Sequence, residues 1–427
     1  MSDEIEVTIE SLGARGDGIA QGADGASLFV AGALVGEKVR VRPSPEKDRA
    51  VLVDVCDPAP GRVQPPCPHF LDCGGCAAQH MDDGTYENWK RGLVADALAH
   101  AGVAANVGPV FRVPSASRRR ARFFASRVGK SAVIGFQAAA SHRIVDMSSC
   151  PALEPALFAL VAPLRDFFAG VLSPGARAEA EAQVVGGALD VVIRLAQTQG
   201  RGLNEKLLRL AGEAKIARIS WQELRKGRGP GGEVELVAEF APVRAVFGGI
   251  DVTLPPLAFL QASRAGEAAL VAAVLERIEP GAHVADLYAG AGTFTLPLTA
   301  RAKRIAAFDG AADLVAALQQ AARSGGVGER VAATARDLER RPLMARELDA
   351  FDTVVFDPPR GGAEAQTRQI AASKVRNVVA VSCNPVSFAR DAKILMDAGF
   401  EIGPVMPVDQ FVWTRHLELV AAFTRKR

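Results

Sequence analysis

The chain carries 50 Lys and Arg against 48 Asp and Glu in 427 residues, and 49% hydrophobic with 23% charged residues is a folded globular composition, not a disordered one. A formal charge of +2 does not mark the whole chain as a nucleic-acid binder, so any such role must come from local patches. No stretch approaches the ~18 to 20 apolar residues of a membrane span, the acidic opening MSDEIEVTIE is no secretory signal, and 6 Cys are too few for a disulfide scaffold, so a cytoplasmic protein with metal-bound or catalytic cysteines is expected.

The length exceeds what one core usually serves, and the sequence divides into three parts. In residues 1–60 the segments Ile5–Leu12, Ser27–Val30, Glu37–Arg42 and Ala50–Val55 alternate or run apolar between glycine-rich turns, the pattern of a small β-barrel. The stretches SLGARGDGIA and FVAGALVGEKVRVR together resemble the TRAM domain, which implies an RNA-binding barrel. A Pro- and Gly-rich linker, Asp57–Gly61 continuing to Pro65 and Pro66, leads into residues 61–255. This part opens with a cysteine cluster. A helix is expected over Tyr86–His100, with Leu93, Val94, Ala97 and Leu98 on one face and Gly102 as its stop; the wider stretch 80–104 is expected to pack on the C-terminal domain. Strand-like runs at Ala132–Phe136, Ala188–Leu195, Ile216–Trp221 and Glu233–Phe240 complete an α+β middle domain. In residues 256–427, apolar strands at Val284–Tyr288, Arg304–Phe308, Val331–Thr334, Thr353–Phe356 and Asn377–Val381 alternate with helical patterns at Ala265–Arg277, Ala312–Ala322 and Ser387–Ala398. That rhythm predicts an α/β, Rossmann-like, doubly wound and largely parallel sheet.

The strand Val284–Tyr288 runs into Ala289-Gly290-Ala291-Gly292-Thr293, and glycines there let backbone approach a ligand beyond the strand ends. A dinucleotide fingerprint would place a third glycine where Thr295 stands, which disfavours NAD. Asp309 ends the next strand, placed to hydrogen-bond ribose hydroxyls. D-x-x-x-G-x-G followed by this acid resembles the class I methyltransferases. Farther on, Asp357-Pro-Pro-Arg360 and Ser382-Cys383-Asn384-Pro385 each follow a strand, so both sit at the carboxyl edge of the sheet. Cys383 is a candidate nucleophile there, and His416-Leu417-Glu418 puts a carboxylate near the start of a terminal strand, Leu417–Phe423.

D-P-P-R, S-C-N-P and H-x-E, in that order after the glycine loop, resemble the RNA uracil-5-methyltransferase family, as does Phe259-Leu260-Gln261 at the domain entry. The resemblance implies S-adenosylmethionine as cofactor, RNA as substrate and a covalent mechanism. Carbon 5 of uracil is a poor nucleophile until a thiolate adds at carbon 6, and a base must then remove the carbon 5 proton. By resemblance Cys383 is the nucleophile and Glu418 the proton acceptor. Gln261, Tyr288, Thr293, Asp309, Asp337 and Asp357 match cofactor-contacting positions, Asp357 also lying where the family holds the uracil edge. Asp309 replaces the usual Glu, and Thr293 stands where close relatives often have Asn.

Cys67-x5-Cys73-x2-Cys76, with Cys150 far downstream, supplies four thiols for a [4Fe–4S] cluster or a zinc ion. The C-x5-C-G-G-C spacing resembles the iron–sulfur branch of the same family, which implies a structural cluster; Cys56 is left without a role. The arginine-rich segment Ser117–Phe124 with Arg127, and the barrel's Lys38, Arg40 and Arg42, are the expected RNA contacts. Within the family this architecture implies 23S rRNA as the substrate; no obligate protein partner is implied, and a monomer is compatible with the sequence. The alternatives are the same chemistry on tRNA and an RNA-binding protein without catalysis. An amino-methyltransferase, whose motif D-P-P also resembles, is opposed by Arg360 in place of an aromatic.

Overall fold

Strict alternation builds the N-terminal sheet: Lys38–Pro43 buries every second residue, with Val39 and Val41 inside. In the computed structural model, which describes residues 4–22, 25–44, 48–196, 199–225 and 229–425, six strands lie between Ile5 and Asp57 around a core of Ile9, Ala20, Leu28, Val30, Ala33, Val39, Val41 and Ala50. The outermost ends of the expected division, 1–3 and 426–427, lie outside the described residues. Glu37 stands in the turn before Lys38, fully buried, and accepts from Leu34 and Ala59 N–H and from the Arg62 guanidinium, fastening the sheet to the linker.

The middle sheet has six strands, in the order Gly229–Glu239, Arg218–Arg225, Ala188–Leu195, Arg177–Val185, Arg120–Val128 and Ser131–Gly135. Helices Val161–Val171 and Arg201–Glu213 bury Leu164, Phe168, Leu207 and Leu210 against one face. Neither helix, nor the strand Arg177–Val185, is among the expected elements. Arg177–Val185 reads RAEAEAQVV, whose alanines show little apolar contrast in sequence yet fill the buried side of the pleat.

The C-terminal sheet is built on parallel strands β1 (His283–Leu287), β2 (Arg304–Asp309), β3 (Val331–Ala335), β4 (Thr353–Phe356) and β5 (Asn377–Ser382), followed by β6 (Met406–Asp409) and β7 (Glu418–Arg425). Their order is β3-β2-β1-β4-β5-β7-β6, with Phe111–Arg112 added at the β6 edge. Cores on both faces explain why β1 and β4 are buried along nearly their whole length. Strand β7 enters antiparallel between β5 and β6, and so begins where β5 ends. Helix α1 (Asp83–His100) places Val94 and Leu98 in the same core as Phe388 and Leu395 of helix α2 (Pro385–Asp397). The hairpin Arg244–Phe247 and Ile250–Thr253 likewise contributes Ala245, Phe247 and Val252 to the C-terminal core. No helix among the described residues is long and apolar enough to cross a membrane.

Candidate active site

The carboxyl ends of β1, β2 and β3 form one rim. After β1 the chain turns through Tyr288, Gly290 and Gly292 at φ of 62°, 56° and 100°. Only glycine suits the last of these, because a Cβ there would stand 2.6 Å from Leu318. Asp309, at the end of β2, accepts the Gly290 and Ala311 N–H groups at 2.8 Å each, so its carboxylate fixes the loop from the neighbouring strand. Beside it Asp337 accepts from Glu339 and Arg340 N–H, while Arg336 N–H donates to the Asp309 carbonyl. Tyr288 and Thr293 are half-buried along the same loop. Inside the strand, Asp286 is buried and receives the Thr295 hydroxyl at 2.5 Å; burial pushes it up to about 7.

The motif Ser382-Cys383-Asn384-Pro385 is a strand end joined to a helix start. Asn384 caps α2 by accepting from Val386 N–H, and Pro385 takes the first helical position. Cys383 is therefore held in a fixed turn. Ser382 pairs with Leu419, so one step outward brings Cys383 level with Glu418. Burial, then the carboxylates of Glu418 and Asp357, push the thiol up to about 12, with Arg360 acting in the opposite direction. Arg360 also stands 3.2 Å from His416 Nδ1.

Asp357 and Glu418 are linked by two amides. Gln261 Nε2 donates to Asp357 at 3.1 Å; Gln410 Nε2 donates to Gln261 Oε1 at 2.6 Å and to Glu418 Oε1 at 3.1 Å. Gly266 makes room for this chain, since a Cβ there would lie 2.7 Å from Gln410. Burial pushes Asp357 up to about 7; burial, then repulsion from Asp357, pushes Glu418 up to about 8. Glu418 Oε2 is buried without a hydrogen-bond partner. Of the positions singled out from sequence, Gln261, Asp357, Cys383 and Glu418 thus come together, and Tyr288, Thr293, Asp309 and Asp337 line the adjoining rim. Gln410 was not singled out; it belongs to no motif and only its place after β6 brings it in.

Cys67, Cys73, Cys76 and Cys150 line one pocket with Phe70, Phe136, Val145, Met147 and Leu153. The thiols lie within electrostatic reach of one another, and burial pushes Cys76 up to about 12. Among the described residues, no group of three or more His, Cys, Asp or Glu side chains is arranged to hold a metal ion.

Several cations of the arginine-rich segment have partners within the protein. Arg119 is buried, donating to the Gln261 carbonyl at 2.9 Å and to Glu267 at 2.5 Å. Arg120 bonds the Leu260 carbonyl and stacks on Phe259, Phe123 is fully buried, and the exposed Arg122 pairs with Glu181. Arg119 and Arg120 pin the Phe259–Gln261 entry to the middle sheet. Lys38, Arg40 and Arg42 likewise pair with Glu6, Asp54 and Glu4.

A family profile described as tRNA (uracil-5-)-methyltransferase matches residues 259–426. An uncharacterized RNA methyltransferase of Rhizobium meliloti is 39% identical over 98% of this chain and 99% of its own length. The 23S rRNA (uracil(1939)-C(5))-methyltransferase RlmD of Halomonas elongata is 34% identical over 97% of this chain and 88% of its own. Among solved structures, the Pyrococcus abyssi tRNA (uracil-54, C5)-methyltransferase in complex with S-adenosyl-L-homocysteine shares the fold at a TM-score of 0.74, with 22% identity over 98% of this chain and 99% of that one.

Proposed function

The chain belongs to the RNA uracil-5-methyltransferase family, and from that premise we propose that it methylates carbon 5 of a uridine in 23S rRNA through a covalent adduct on Cys383. The observation that carries this reading is the pairing of β5 with β7, which sets Cys383 level with Glu418 at the sheet edge. We read the glycine loop held by Asp309 as the S-adenosylmethionine cradle, with Tyr288, Thr293 and Asp337 along it. The cofactor supplies an electrophilic sulfonium methyl group.

The residues then act in sequence. Partial burial and the neighbouring Glu418 and Asp357 favour the thiol form of Cys383 in the free enzyme; as the uridine enters it releases its proton to solvent, which leaves Glu418 free to act later. Its sulfur bonds to carbon 6, and the carbon 5–carbon 6 π electrons move toward oxygen 4. S-adenosylmethionine, held along Tyr288, Thr293, Asp309 and Asp337, would supply the methyl group that carbon 5 accepts. Glu418 removes the carbon 5 proton, the carbon–sulfur bond breaks, the ring double bond returns and the thiolate departs. Asp357, oriented by Gln261, holds the uracil edge.

Residues 1–60 are read as a TRAM-type module, 61–255 as the middle RNA-binding domain and 256–427 as the methyltransferase domain of a cytoplasmic, monomeric enzyme. The four cysteines lining one apolar-walled pocket fit a [4Fe–4S] cluster better than a zinc site, which would more often show two close pairs. The cluster would tie its loop to the middle sheet. Anaerobically purified protein should be brown with four-iron stoichiometry; colourless protein with one zinc per chain refutes it. Full-length likeness in fold to a tRNA enzyme means that architecture does not choose the RNA; the 34% identity to an rRNA enzyme favours 23S rRNA. Labelled methyl transfer to unmodified 23S rRNA and tRNA tests this. 5-Methyluridine in 23S rRNA supports the reading, while label in tRNA alone keeps the chemistry and changes the substrate.

A further inference from the structure

Helix α1 reaches the catalytic edge with two polar side chains on an otherwise apolar stripe, Tyr86 and, one turn later, Lys90. Lys90 is completely buried. Its ammonium donates to Asp409 Oδ1 at 2.9 Å and to the His416 carbonyl at 2.5 Å. The Tyr86 hydroxyl donates to Asp409 Oδ2 at 2.6 Å and accepts the Trp413 N–H at 2.8 Å. Two residues of one helix face therefore hold the segment 409–416 at three points: a side chain, an N–H and a carbonyl.

That segment is the strap joining β6 to β7. Asp409 precedes Gln410, which bonds Glu418, and His416 lies two residues before Glu418 itself. On its other side the strap meets the cysteine loop: the Trp413 carbonyl accepts Ala77 and Ala78 N–H at 2.7 and 3.1 Å. Trp413 is held at φ 64°, a left-handed conformation that a bulky residue keeps only when its surroundings impose it. A brace whose sole purpose was stability would be served by apolar side chains of similar volume. A buried ion pair with every bond directed to one strap instead selects a single strap conformation.

We propose that Lys90, Tyr86 and Asp409 are positioning residues for the base, holding Gln410 and Glu418 in register with carbon 5 of the bound uridine. This rests on the reading of Glu418 as proton acceptor. The step that fails when the brace is loosened is proton removal, after Cys383 has attacked and the methyl group has moved.

The test uses the full-length protein, with Tyr86→Phe, which removes one oxygen, and Lys90→Met. With KM for RNA and cofactor unchanged within about twofold, kcat should fall ~10- to 100-fold, the scale of a base displaced by an ångström or less. A methylated, denaturation-stable RNA–protein adduct should accumulate, as in Glu418→Gln. Wild-type kcat in Tyr86→Phe and Lys90→Met overturns the proposal. So does activity that falls only in proportion to the folded fraction, without adduct. If the wild-type protein gives no 5-methyluridine from any RNA, the reading of Glu418 falls, and this inference with it.

Discussion

Two buried polar networks lie within a few residues of each other and are built on opposite terms. In the brace of Lys90, Tyr86 and Asp409, a cation faces an anion and the polar atoms are paired. In the catalytic chain Asp357–Gln261–Gln410–Glu418, two carboxylates share one enclosed site with neutral amides between them, and an oxygen of Glu418 is left unpaired. Removing an ion from water costs roughly several kcal/mol. The brace offsets that cost by mutual attraction and the catalytic chain does not, which is why Asp357 and Glu418 are held near 7 and 8. The brace resists change, whereas the catalytic chain is poised to accept a proton and to bind a partner that completes it.

The largest break in this comparison comes from its nucleophile. Cys383→Ala should lower methyl transfer on the order of 10⁴-fold or more, with cofactor binding intact in a calorimetric titration. Retained turnover would remove covalent catalysis from the scheme. Next, Glu418→Gln should cut kcat about 10²- to 10⁴-fold while letting the adduct form; a gel that shows released product and no trapped RNA points to another base. In the wild type the single-turnover rate should rise with pH through about 8, because the base acts only when ionised and Glu418 holds its proton until then. Gln410→Leu should cost less, about 10-fold, the worth of one hydrogen bond to a charged group. An unchanged rate would show that the amide bridge only fills space.

How much of this was legible beforehand depended on whether a residue's role was local. Cys383, Asn384 and Pro385 are a strand end, a cap and a first helical residue, so four consecutive letters placed the nucleophile at the sheet edge. The glycine loop and Asp309 were readable because strand ends in a parallel sheet are fixed by period and length. Gln410 was not readable, since its partners, Gln261 and Glu418, are set by the antiparallel entry of β7. Lys90 did leave a signal, a cation on the helical stripe that Val94 and Leu98 make apolar, but nothing local names its partner 319 residues away. The arginine-rich strand shows a further limit of reading composition. Composition counts charges and does not see Glu267 and Glu181, which reach Arg119 and Arg122 only in the folded chain.

The smallest effect concerns stability. Asp357 and Glu418 have folded-state values raised above those of an unfolded chain, to about 7 and about 8. A raised carboxyl contributes stability that is complete below about pH 4 and is lost as pH climbs through 7 to 8, where the buried group must ionise. Glu418→Gln keeps the hydrogen bond from Gln410 and has nothing to ionise. Its Tm should therefore match or trail the wild type at pH 5 and exceed it at pH 9, by ~2 to 4 °C for each kcal/mol relieved. Lys90→Met supplies the contrast. It removes the buried cation that faces Asp409, so it should lower Tm at pH 5 as well as at pH 9. If the two variants shift Tm equally and independently of pH, the catalytic carboxylates are already solvated as well as the brace is paired, and the distinction between a settled network and a poised one disappears.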